Sequence, residues 1–270
     1  MIEFLSQQIT GDMPYEMKIN RLREALQLLC LKILHDKGYF SNLAFVGGTA
    51  LRILYDMRRF SEDMDFSLID KKGYDFSKLM ASLERELKLN GLDVEAKPKV
   101  VKTVQSSMMK FPGLLKTMGL SGLSGQKVSI KFEIDSNPPA GWEVESTVVN
   151  KIYIINIPHL ALPSLYATKL HACFFRKYTK GRDFYDLVWY LGKKTKPNYK
   201  LLNNAIKQTQ GKDFGINEDD IKDFLLERVA KIDFVSARKD VERFLEDKSE
   251  LQLLNKDVIS KSIADVFCGH

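Results

Sequence analysis

The stretch Val46-Gly47-Gly48-Thr49-Ala50-Leu51-Arg52, followed after a short gap by Ser61-Glu62-Asp63-Met64-Asp65-Phe66, decides how this chain is read. Upstream, Leu43-Ala44-Phe45-Val46 is a short apolar run that reads as a strand ending at the glycine pair. The glycines open a helix predicted over Ala50 to Tyr55, with Thr49 able to cap it. Asp63 to Ile69 alternates polar and apolar residues, which predicts a second strand.

A side chain at a glycine would keep backbone amides away from an anion, so Gly47 and Gly48 permit a close approach. The helix that follows aims its first N–H groups at the same spot, which suits a triphosphate. On its own the pair is no more than a tight strand-to-helix turn. The D-x-D changes the balance. Residues two apart on a strand share a face and lie about 6.5–7 Å apart. Asp63 and Asp65 therefore project together, while Met64, Phe66 and Leu68 face the core. Two adjacent carboxylates repel unless a cation sits between them, and Mg²⁺ takes carboxylate and phosphate oxygens together. That combination aligns an attacking hydroxyl with the α-phosphate of a nucleoside triphosphate.

Working outward, Pro14 to Lys37 reads as a long amphipathic helix, with Ile19, Leu22, Leu26, Leu29 and Ile33 at helical spacing. Another helix is predicted over Ser77 to Leu89. Asp93 to Met109 reads as a β-rich, lysine-decorated segment, and the glycine-rich Phe111 to Gln126 as a plain hairpin connection or, alternatively, a mobile loop that packs when something binds. Lys127 to Asp135 is a strand of period two, with Val128, Ile130, Phe132 and Ile134 inward. Its other face carries Glu133 and Asp135, of which Glu133 is a candidate third carboxylate for a metal; a solvated polar face explains both as well. Val144 to Ile157 reads as a hairpin.

After Pro158 the pattern turns helical, over Pro163 to Lys177, Asp183 to Lys193, Asn198 to Gln208, Asp219 to Ile232, Lys239 to Leu245 and Lys248 to Phe267. The expected division is residues 1–157 as an α/β core and 158–270 as a helical region.

At 270 residues, 44% hydrophobic and 28% charged, the composition is that of an ordinary globular protein. No apolar run approaches the roughly 20 residues of a membrane span. The start Met1-Ile2-Glu3-Phe4-Leu5-Ser6 shows no secretory signal, and Cys30, Cys173 and Cys268 have no metal spacing. The expectation is a cytoplasmic protein. The net charge is +6, unevenly spread. Ala96 to Phe132 holds seven lysines (Lys97, Lys99, Lys102, Lys110, Lys116, Lys127, Lys131) and no acid. A second basic run includes Lys169, His171, Arg176, Lys177, Lys180 and Arg182, and continues through Lys193, Lys194, Lys196 and Lys200. Single runs of lysine are commonly solvated faces; two of them flanking a nucleotide site suggest a polyanionic second substrate.

Downstream, Lys169-Leu170-His171-Ala172 lies on one predicted helix and Gly181-Arg182-Asp183-Phe184-Tyr185-Asp186-Leu187 opens the next. Asp183 and Asp186 share a face at i and i+3. Taken singly, Asp183 reads as a helix-dipole partner and Lys169 as a surface lysine. The functional alternative is a lysine on nucleotide phosphates, with Asp186 positioning it or holding metal or substrate.

Together, Phe45 to Arg52, Arg59 to Phe66, Lys169 to Ala172 and Gly181 to Leu187 resemble the AbiEii/AbiGii-type nucleotidyltransferase toxins, a group that includes the MenT toxins and belongs to the polymerase-β-like superfamily. The resemblance implies an α+β fold: a polymerase-β-type nucleotidyltransferase core with a mixed β-sheet and a helical C-terminal region. It implies transfer of a nucleoside monophosphate from an NTP, with Mg²⁺, to RNA, notably the tRNA 3′ end, and a separately encoded antitoxin. Carried over by motif, Asp63 and Asp65 bind metal and Gly48 and Ser61 lie at the triphosphate, alongside Gly47. Lys169 and Arg182 contact the nucleotide, and Asp183 or Asp186 is the essential acid. Gly-Gly-Thr stands where the wider superfamily has Gly-Ser, so Thr49 is the candidate replacement hydroxyl.

Two rivals are weighed against this expectation. One keeps the enzyme but makes the acceptor a small molecule or a protein hydroxyl; the other is a non-catalytic nucleotide-binding module. The basic runs favour RNA, and the presence of Asp63, Asp65 and Lys169 speaks against a decayed site.

Overall fold

Apolar periodicity builds the first half of the chain, and a computed structural model describes residues 1–9, 11–100, 103–123, 125–176 and 180–268. Lys102 and Lys177 of the basic runs, and Ser124 of the glycine-rich stretch, lie outside the described residues. The short helix α1 (Ile2–Gln7) is followed by α2 (Tyr15–Asp36), whose Leu22, Leu26, Leu29 and Ile33 are buried. Strand β1 (Leu43–Val46) runs into α3 (Gly47–Tyr55), and β2 (Asp63–Leu68) leads to α4 (Phe76–Leu89). Strands β3 (Glu95–Lys99) and β4 (Val104–Phe111), the one-turn helix α5 (Leu114–Thr117), and strands β5 (Val128–Asp135), β6 (Val144–Asn150) and β7 (Ile154–Leu160) follow.

The strands form one seven-stranded mixed sheet in the order β3-β4-β5-β2-β1-β7-β6. β1 pairs antiparallel with β2 and parallel with β7; β2 pairs parallel with β5. Phe45, Met64, Phe66, Met109, Phe111, Ile130, Phe132 and Ile134 share a core with residues of α2 and α4 such as Leu22, Leu29, Leu79 and Leu83. The Phe66 ring stacks on Phe132 at 4.9 Å and lies 5.1 Å from Phe45. Because the pleat alternates, burying that face turns Asp63, Asp65, Ser129, Lys131 and Glu133 to the other.

The chain divides into two units, Met1–Pro138 with Glu145–His159, and Pro139–Val144 with Leu160–His270. The second is helical: α6 (Leu162–Phe175), α7 (Gly181–Gly192), α8 (Tyr199–Gln210), α9 (Ile221–Val229), α10 (Phe234–Val241) and α11 (Lys256–Val266). Pro163 occupies the first turn of α6, where a missing N–H costs no hydrogen bond. Tyr166 of α6 stacks on Tyr190 of α7 at 4.3 Å, and both are fully buried.

Three expectations need correction. The helix expected over Lys248 to Phe267 is broken into a 3₁₀ segment, Lys248–Leu253, and α11, because Asn255 stops one and caps the other by accepting from Val258 N–H at 2.9 Å. The Phe111 to Gln126 connection is not a plain loop, since Leu114 and Leu115 of α5 enter the core. Thr49 does not cap α3. The helix already begins at Gly47, and the buried Thr49 hydroxyl donates to the carbonyl of Asp63 on β2.

Candidate active site

In the first unit the two signature motifs meet at a bend. Gly47 has φ of +80°, a conformation open to glycine at little cost. A Cβ at Gly47 would collide with the Asp65 carboxylate, so the carboxylate lies directly against this backbone. At Gly48 the obstacle is different: a Cβ there would stand 2.5 Å from Nη2 of Arg59. Each glycine thus makes room for a charged group.

Asp63 and Asp65 are half-buried, on one face of β2, with the intervening Met64 fully buried. The parallel register places Asp63 opposite Lys131 and Asp65 opposite Glu133. The Lys131 ammonium sits 2.8 Å from Glu133 Oε1. Desolvation pulls the Lys131 pKa down, but the hydrogen bond to Glu133 and the charges of Glu133, Asp63 and Asp65 outweigh it, so the ammonium is held above its ordinary value. This acid face therefore already attracts a cation.

Arg59 is 2% exposed and donates from Nη1 to the carbonyl of Phe60 at 2.9 Å. Arg52 reaches Glu24 of α2 at 2.5 Å and lies 4.4 Å over the Phe60 ring. Ser61 is fixed through its carbonyl, which accepts from the buried Gln27 side chain at 3.0 Å. These contacts tie the approach to β2 to helices α2 and α3, so the two acids stand on a braced segment.

The second unit has its own charged constellation. The Lys169 ammonium lies 2.7 Å from Asp183 Oδ1 and 2.8 Å from Asp186 Oδ2. Asp186 is 0% exposed and Asp183 4%, so this is a buried triad rather than a solvated surface. Arg176 approaches the other Asp183 oxygen at 3.6 Å. The Cys173 thiol donates to the Asp183 carbonyl at 3.3 Å, and burial, reinforced by the Asp183 charge, pushes its pKa well above the ordinary value. It is a structural thiol, not a nucleophile. Arg182, next to the triad in sequence, stacks on Phe244 at 4.4 Å.

At the start of α7 a Cβ on Gly181 would run into the carbonyl of Ala237 in α10. The Gly181 N–H donates to Asp240 at 2.7 Å, which fixes this helix end beside α10. The glycine that opens the downstream motif is therefore required by helix packing.

Both constellations fall within the stretch of chain that matches a known sequence family. The model of the nucleotidyl transferase AbiEii toxins of type IV toxin–antitoxin systems matches residues 29–259. The chain belongs to this AbiEii family. It is accordingly a nucleotidyltransferase, and membership implies an antitoxin partner. Among solved structures, a candidate nucleotidyltransferase from H. pylori is similar at 21% identity and a TM-score of 0.55, over 92% of this chain and 96% of that one. JHP933 from Helicobacter pylori is similar at 21% identity and a TM-score of 0.52, over 91% and 90%. These likenesses carry the fold. No curated protein matches the chain significantly.

In this AbiEii nucleotidyltransferase, two charged groups beside the acids and the bend have no role assigned by the motifs. Lys131 was legible in the alternation of β5, which puts it on the same face as Glu133. Arg59 precedes the acid motif, and nothing in the sequence tells that this arginine is buried against Gly48. No helix among the described residues is long and apolar enough to cross a membrane.

Proposed function

We propose that the protein is a magnesium-dependent toxin of the cytoplasm that transfers a nucleoside monophosphate from an NTP to RNA, with the tRNA 3′ end as acceptor. The observation that carries this reading is the pair Asp63 and Asp65 on one face of β2, packed against the Gly47 bend. The donor set fits magnesium: hard carboxylate oxygens, half-exposed, on a face that already holds the Lys131 ammonium. Among the described residues no three histidine, cysteine, aspartate or glutamate side chains form a ready metal cage. Magnesium suits such a site, since it keeps water and takes phosphate oxygens beside one or two carboxylates.

In this reading Asp63 and Asp65 would hold the ion, with Glu133, which is paired with Lys131, as a further candidate carboxylate. The ion supplies positive charge that offsets the triphosphate and the departing pyrophosphate. Gly47, Gly48 and the first amides of α3 face the phosphates, with Ser61 and the Thr49 segment beside them. The Thr49 hydroxyl is engaged by Asp63, so that residue acts through its backbone. Lys169 donates to the nucleotide, held extended by Asp183 and Asp186, which act as positioning residues; Arg182 flanks the same helix start. The acceptor hydroxyl oxygen bonds to the α-phosphorus, the bond to pyrophosphate breaks, and the hydroxyl proton passes to water. The charge clusters of residues 96–132 and 169–200 support a polyanionic acceptor.

The test is incubation of the protein with each labelled NTP and total RNA, with and without magnesium. Label is expected in RNA only with the metal, and Asp63→Asn and Asp65→Asn should each abolish it while melting like the parent. Label entering protein or a small molecule instead would sink the RNA assignment.

A further inference from the structure

The polar face of the sheet does not end at the acids. Register across four strands sets two parallel rows, Lys97–Met108–Lys131–Asp63 and Lys99–Ser106–Glu133–Asp65. At about 4.8 Å between neighbouring strands, each row extends roughly 14 Å from its aspartate to its outer lysine. A cleft of about 320 Å³ opens over the outer part, lined by Lys97, Lys99, Lys110 and Lys131 with Ser106 and Met108 in its floor.

Three of the four lysines in this cleft, Lys97, Lys99 and Lys110, are not neutralised from within. Glu95 is taken by Lys127 at 3.3 Å, and Glu133 by Lys131 at 2.8 Å. Among the described residues no ion pair joins Lys97, Lys99 or Lys110, all of which are exposed. Lysine on a sheet edge has an ordinary use, since it blocks pairing with another chain. That accounts for Lys97 and Lys99 on the outermost strand, β3. It does not account for Lys110, which stands on the inner strand β4; Lys131 on β5 is the partner of Glu133.

We propose that this cleft is a phosphate-binding track that leads a single-stranded polynucleotide to the acid pair. The proposal rests on the reading of Asp63 and Asp65 as the reacting centre with a nucleic-acid acceptor. A second source of phosphate is the donor's own triphosphate. With its α-phosphate at the acids, however, a triphosphate tail has only two further phosphates and ends well short of Lys99. A strand carries a phosphate at every nucleotide and can engage the whole row. Lys131 stands at the junction of acids and lysines, where it screens an incoming phosphate from the carboxylates.

The experiment uses the full chain and a variant with Lys97→Gln, Lys99→Gln and Lys110→Gln together. A fluorescent single-stranded RNA oligonucleotide serves as probe, titrated over a range of salt. Because the three side chains are exposed, the variant should melt like the parent. A companion Lys→Arg triple variant preserves charge and controls for shape. Loss of three phosphate contacts should weaken binding at least tenfold and flatten the slope of log K against log salt by about 2. The arginine variant should retain binding, and the KM for NTP should stay unchanged in both.

Unchanged RNA affinity and salt slope in the glutamine variant, with the parent labelling RNA, would overturn the track alone. A raised KM for NTP with intact RNA binding would overturn it in favour of the triphosphate. If the parent transfers nucleotide but neither binds nor labels any nucleic acid, the acceptor reading falls and the track falls with it.

Discussion

The carboxylate of Asp65 rests against the backbone of Gly47, where the chain turns with φ of +80°. The two family motifs, far apart by sequence logic, are thus one contact. Asp65 takes its place because the bend residue has no side chain.

Gly47→Ala should cost about 1–2 kcal/mol from the left-handed backbone alone. Displacement of Asp65 adds to it. Gly73→Ala isolates the first part, since Gly73 has φ of +70° and nothing near its Cβ. Denaturant unfolding should show a larger loss for Gly47→Ala than for Gly73→Ala, and only Gly47→Ala should lose nucleotide transfer. Equal losses with intact transfer would remove the Asp65 contact from the account.

Lys169→Met should destabilise the chain by about 3–5 kcal/mol, because it strands the buried carboxylates Asp183 and Asp186 without their shared cation. Asp186→Asn should act in the same direction. A Lys169→Met protein that unfolds at the parent's urea midpoint would return Lys169 to the surface.

Gly181→Ala forces a methyl group into the backbone of Ala237, where no side-chain rotation can relieve it. A loss of about 1–3 kcal/mol is expected from overpacking at the α7–α10 contact. Thermal unfolding checks this, with Gly192→Ala as the control, since nothing lies near the Gly192 Cβ.

His171 provides a pH test. Burial, and then the nearby Arg176, lower its pKa, while its Nε2 lies 2.8 Å from Thr209 Oγ1. The unfolded chain therefore binds a proton at His171 more readily than the folded one. Stability at this residue is full above its unfolded value of about 6.5 and is lost as pH falls through it, until the folded form also protonates. His171→Gln should flatten the decline in stability between about pH 7.5 and pH 5 relative to the parent. Parallel decline in both proteins would show that His171 takes no part.

The central part of the sheet was legible because β2 and β5 announce themselves by alternation. Asp63-Met64-Asp65-Phe66 and Lys127 to Asp135 give the buried and open faces directly, and the register then aligns acids from different strands. What was hidden depends on contacts distant in sequence. Asn255 looks like any polar helical residue until its side chain turns to cap α11. Thr49 looks like a cap for α3 until β2 supplies a nearer carbonyl. The burial of Lys169 between two aspartates needs the packing of α6 on α7, while a lysine followed by Leu-His-Ala reads equally well as solvated.

The Thr49 hydroxyl bound to the Asp63 carbonyl fastens the glycine bend to one rung of β2. Odd-numbered positions 63 and 65 carry the charges, and even-numbered 64, 66 and 68 carry the oil. Sliding that strand by a single residue would put two carboxylates among phenylalanines and expose Met64 and Phe66 to water. Parity is therefore common property of folding and chemistry here.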